Sequence, residues 1–147
     1  MNKMLEFTRI MGEVDTLYHE ASFRLGLSDS EMSVLYILLS NGKECDISYI
    51  CKMSGAKKQT INSALRNLEA NGYIKIEIYS HKKRLVCLTK QGKDYAYATA
   101  GVLMNIEKQV FQNWTQEEMD YYISLSMRFL DNFKDISDKE LFNKEKL

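Results

Sequence analysis

Seven polar side chains crowd into ten residues: Lys57, Lys58, Gln59, Thr60, Asn62, Ser63 and Arg66, with no acid among them. Each type has a use against duplex DNA. Gln and Asn amides pair with the adenine edge, and a Thr methyl meets a thymine methyl. Lys and Arg neutralise phosphates. Gln59, Thr60, Asn62 and Ser63 are therefore candidate base contacts. Lys57, Lys58 and Arg66 are candidate phosphate contacts, with an Arg66–Glu69 pair as the alternative for that arginine. A second basic group follows at Lys82, Lys83 and Arg84. Between Lys52 and Lys93 stand ten Lys and Arg residues and two acids, Glu69 and Glu77, although the whole chain is formally neutral. The bland reading is a solvated charged face. Against it, the charge coincides with elements built to present it to an anionic partner.

Those elements can be read from period. Ile61, Ala64, Leu65 and Leu68 recur at i, i+3, i+4 and i+7, which predicts a helix with the polar group on its outer face. Ile47, Ile50 and Cys51 predict a shorter helix before it, opened by Asp46 as cap and broken at Ser54-Gly55-Ala56. The pair reads as a helix-turn-helix whose second helix enters a major groove. Asn71-Gly72 closes that helix. Tyr73 to Tyr79 then alternates, with Ile74, Ile76 and Ile78 on one half-buried face. Arg84 to Leu88 returns as a second strand. A hairpin in this place is a wing, and Lys82, Lys83 and Arg84 at its tip are placed to reach phosphate or a minor groove.

At Leu68-Glu69-Ala70-Asn71-Gly72-Tyr73-Ile74 and Leu85-Val86-Cys87-Leu88-Thr89-Lys90-Gln91-Gly92 the chain resembles the MarR-type winged helix-turn-helix regulators. Their pattern there is L-E-x-x-G-x-I followed by L-T-x-x-G. The resemblance extends over nearly the whole chain. One departure lies in the wing, where Ser80, His81 and Lys82 stand in place of the family's acid and arginine. Another is Ser63, at a position where the family often carries arginine, which weakens direct readout of guanine. The resemblance implies a mostly α fold with a small β-hairpin wing. Helices in 1–27 and 94–147 would form the dimer, and 28–93 the DNA-binding module. It also implies a homodimer on a palindromic operator of double-stranded DNA, acting as a repressor. A pocket for a small-molecule effector would lie between the dimer helices and the winged helix, with Tyr18, His19, Arg24 and Tyr36 as candidate lining.

The remaining chain fits this plan. Phe7, Ile10, Met11, Val14, Leu17, Tyr18 and Ala21 predict an amphipathic helix over Asn2 to Leu25. Ser28-Asp29-Ser30-Glu31 is a capping box for a nearly all-apolar, buried helix running to Ser40. Thr89 caps a helix expected to run unbroken to about Asn113. Thr115-Gln116-Glu117-Glu118 is a second capping box, opening a last helix with Met119, Tyr122, Ile123 and Phe133 at coiled-coil-like spacing. From Asp135 the tail is charged and is expected to fray, with Leu141 and Phe142 available for a final contact. The apolar surface of the end helices exceeds what one small domain uses, which suggests a dimer.

Other chemistries are less well supported. The sequence has no glycine-rich phosphate loop, no HExxH, no G-x-S-x-G and no CxxC, so no enzyme and no cofactor is expected. Cys45, Cys51 and Cys87 cannot all pair. With no export signal and no membrane span read, reduced thiols in a cytoplasmic protein are expected. Cys45, placed in a loop, is the best candidate for a thiol-oxidation sensor. The resemblance also offers zinc sensing, with His19 and Glu20, joined by Cys45, as the candidate combination, and no metal site is assigned. From another class, the rival to a DNA reader is a winged-helix adaptor or antirepressor that binds a protein through the same basic face.

Overall fold

The computed structural model describes residues 2–142. It falls into two units, one through Ile106 and the other from Glu107.

The first unit opens with α1 (Lys3–Arg24) and α2 (Asp29–Ser40). Asn2 caps α1 by accepting from the Met4 N–H at 2.9 Å. Ser28 and Glu31 form the predicted capping box, so α2 starts where its orphan N–H groups find side-chain oxygens. The helix-turn-helix is α3 (Ile47–Ser54) and α4 (Lys58–Ala70). Asp46 caps α3 through the Ser48 N–H. Gly55 takes a φ of 65° at the break, a conformation that costs a residue with a Cβ. Two strands follow, β2 (Ile74–Ser80) and β3 (Lys83–Leu88).

The hairpin is part of a three-stranded antiparallel sheet. Glu44–Asp46 forms a short strand, β1, and the order is β1-β3-β2. Cys45 lies opposite Val86, and Ile76 opposite Val86 on the other side. The core sits beneath this sheet. Val34, Leu35 and Leu38 of α2 pack with Ile50 of α3, Ile61, Leu65 and Leu68 of α4, and Ile74 and Val86. Each fully buried side chain of this size contributes roughly 1.5–3 kcal/mol of transfer free energy.

The predicted strand face weakens outward: Ile74 is buried and Ile76 half-buried, but Ile78 is 75% exposed. Alternation fixes which face a residue is on, and the core ends before Ile78 is reached. The predicted long helix after the wing is two helices, α5 (Lys90–Ala98) and α6 (Ala100–Phe111). Thr99 leaves helical geometry at φ −121°, ψ −85°, and its hydroxyl donates back to the Tyr95 carbonyl at 2.7 Å.

In the second unit, Trp114 meets Phe111 and Tyr122 edge-on, with ring centroids 5.1 Å and 5.5 Å away. The predicted capping box of Thr115 and Glu118 opens α7 (Gln116–Ser137). No residue of α7 is buried. The tail does not fray at Asp135. The helix runs on to Ser137 and a π-helical turn spans Asp138–Phe142, with Leu141 and Phe142 exposed. The expected tail beyond Phe142 lies outside the described residues.

Candidate nucleic-acid interface

The face opposite the buried stripe of α4 carries the candidate contacts. All are exposed except Asn62, which is half-buried. Lys57 is the N-cap of α4 and makes no side-chain cap bond. Two lysines at the positive end of a helix dipole are locally unfavourable. A phosphate there would satisfy both the lysines and the uncapped first-turn N–H groups.

The structure divides the candidates between two sides of α4. Lys58, Asn62 and Arg66, spaced four apart, face a groove of about 550 Å³ whose far wall is Ile76 and Arg84 of the hairpin. An adjoining groove of about 690 Å³ runs along the wing past Ile78, Ser80, His81 and Lys82. Thr60, Ser63 and Asn67 face the other way, toward Ser28, Ser30 and Glu31 at the start of α2. Gln59 borders both sides. Ser63 donates to the Gln59 carbonyl at 3.1 Å and accepts from Arg66 at 3.4 Å. Arg66 therefore reaches Ser63 rather than Glu69. Among the described residues, Lys57, Lys58, Lys82, Lys83 and Arg84 make no ion pair within the chain, so their charge is available to an outside anion. Lys83 does lie near enough to Asp46 to help hold that carboxyl below its usual range, a shift led by the Ser48 N–H and hydroxyl. Ile78, expected on the half-buried face of its strand, is exposed on this surface.

The candidate effector residues lie apart from these grooves. Tyr18, His19 and Arg24 are exposed on α1, while Tyr36 of α2 packs against the core. His19 Nδ1 meets Asp29 Oδ2 at 2.9 Å, tying α1 to the start of α2. That hydrogen bond, and then the Asp29 charge, raise the His19 pKa above its ordinary 6.5. Because the folded value is the higher one, this tie stabilises fully below the unfolded pKa and is lost as pH rises through the folded one. An NMR titration of His19 should give a midpoint above 6.5, falling back in Asp29→Asn. Equal midpoints would refute the pairing.

Cys45 is not in a loop. It is buried in β1, and burial pushes its thiol up to about 11. A thiol so rarely ionised is a poor oxidant sensor. Among the described residues no three His, Cys, Asp or Glu side chains converge as a metal site, and no helix is long and apolar enough to cross a membrane.

A helix-turn-helix followed at once by a basic hairpin is a winged helix-turn-helix. Residues 25–84 match the model of the MarR family. Solved structures agree over most of the chain. A MarR family transcriptional regulator from Silicibacter pomeroyi is 25% identical, with 86% of each chain covered and a TM-score of 0.67. A MarR family regulator from Neisseria meningitidis is 20% identical, covering 98% of this chain and 99% of its own, with a TM-score of 0.77. The Staphylococcus aureus MepR–DNA complex is 16% identical, with 90% and 96% covered and a TM-score of 0.69. No curated protein matches the chain in sequence. The matched segment is thus similar to the MarR family, and the fold over most of the chain is the winged-helix fold of solved MarR family regulators.

Proposed function

We propose that this chain is a sequence-specific DNA-binding repressor that works as a homodimer on a palindromic operator. The observation that carries the reading is the outer face of α4, which presents Lys58, Gln59, Asn62 and Arg66 beside the free cation Arg84 of the wing, with no acid in that groove wall. Phosphate attraction supplies most of the affinity and the amides supply a modest base code. The dimer is supported by apolar side chains left in water. Ile10, Val14 and Leu17 of α1, and Ile123, Leu130 and Phe133 of α7, are between 42% and 63% exposed. A two-fold dimer sets two recognition helices about 34 Å apart, one turn of DNA. A small molecule held near Tyr18, His19, Arg24 and Tyr36 relieves repression by changing that spacing.

Selection from random duplex DNA at two salt concentrations tests this. A palindromic consensus with half-sites one turn apart is expected. Asn62→Ala should lose roughly tenfold or more in preference for the selected sequence, while Lys108→Ala on α6 should bind like the parent. Sequence-blind binding that vanishes with salt would instead favour an adaptor that docks on protein through this face.

A further inference from the structure

The grooves between α4 and the hairpin have apolar lining for which the DNA-binding reading gives no use. Ile47 lines both grooves, Ile76 one and Ile78 the other, beside Lys58, Asn62 and Arg84, which line both. Single exposed apolar side chains are ordinary on a protein surface. Ile78 differs in its setting. It is 75% exposed and sits directly across the ladder from Arg84. The pairing then skips Tyr79, stepping from Ile78–Arg84 to Ser80–Lys83. Such a bulge twists a strand and re-aims its side chains. The result is an apolar side chain bordered by Lys58, Lys82 and Arg84 in one groove.

A strand of DNA backbone has the complementary pattern. Anionic phosphates alternate with the C–H faces of deoxyribose. With α4 in a major groove and the wing in the next minor groove, the one backbone that separates the two grooves must cross between them. We propose that this sugar–phosphate strand lies in the groove, with phosphates against Lys58 and Arg84 and a deoxyribose face against Ile78. The inference rests on the reading of α4 as the recognition helix. It adds a contact that is apolar and therefore leaves no trace in the salt dependence.

The test uses the full chain and its selected duplex, with affinity measured across a salt series. Ile78→Ser should weaken binding about tenfold with the salt slope unchanged, because no phosphate contact is lost. Ile78→Leu should restore most of the loss. Arg84→Ala should instead flatten the slope by about 0.9 for each protomer, about 1.8 for the dimer. Thermal melting of Ile78→Ser should match the parent, since the side chain is in water in the free protein. Parent-like affinity in Ile78→Ser would overturn the proposal. So would a flattened slope, which would mean that the wing itself had moved. If the parent selects no sequence at all, the recognition-helix reading fails first and this inference falls with it.

Discussion

Replacing Gly92 by alanine is expected to destabilise the chain by about 3 kcal/mol, a loss on the order of 10 °C in melting temperature. The cause is a joint between the turn that follows α4 and the start of α5. Thr89 caps α5 by accepting from the Gly92 N–H at 2.9 Å. Its own N–H donates to the Tyr73 carbonyl at 3.0 Å, and its hydroxyl donates to the Gly72 carbonyl at 2.6 Å. Tyr73 and Tyr95 stack above this with centroids 3.9 Å apart and planes 6° from parallel. A Cβ on Gly92 would lie 2.6 Å from the carbonyl carbon of Tyr73 and closer still to its oxygen. That obstacle is backbone held by two donors, so it cannot swing aside as a side chain would. Relief requires α5 to lift, which separates the tyrosine pair and strips the cap. Urea unfolding of Gly92→Ala followed by circular dichroism checks this. A change below about 1 kcal/mol would mean that the joint is looser than its geometry implies.

The second large effect concerns charge. Lys82→Ala, Lys83→Ala and Arg84→Ala combined should lower affinity of the dimer for duplex DNA by roughly a hundredfold or more at moderate salt and reduce the salt slope by about 2.7 for each protomer, about 5.4 for the dimer. All three side chains are exposed, so the fold should be preserved. The preference among sequences should persist, because phosphate contacts position the protein and base contacts specify. An unchanged slope, measured by fluorescence anisotropy from low to moderate salt, would remove the wing from the DNA-binding surface.

The parts of this fold that were legible in the sequence are those set by local rules. The stripe Ile61, Ala64, Leu65 and Leu68 is buried in full. Both capping boxes form, and Asp46 and Thr89 cap as read. What escaped depends on distant partners. The strand Glu44–Asp46 is too short to show a period, and exists because Leu85, Val86 and Cys87 come to pair with it. That pairing also takes Cys45 out of the expected loop. The break at Thr99 has no proline to announce it. Ile78 was placed on the correct face, but the reach of the core along the hairpin is a tertiary property. The candidate contacts were visible as residue types. Their division into a wing-facing row and a row facing α2 follows only from where the neighbouring elements stand.

The central place of β3 has a consequence for the order in which the protein becomes competent. β1 precedes the helix-turn-helix and pairs with a strand that follows the hairpin turn, Asp46 against Leu85. The whole helix-turn-helix is thus enclosed in a loop whose two ends must be brought together, and this closure carries an entropic cost that local helix contacts do not. As the chain leaves the ribosome, α3 and α4 emerge well before the segment that closes them. Until Leu88 has emerged, α4 has α2 and α3 to pack against but not the completed sheet that carries Ile74 and Val86.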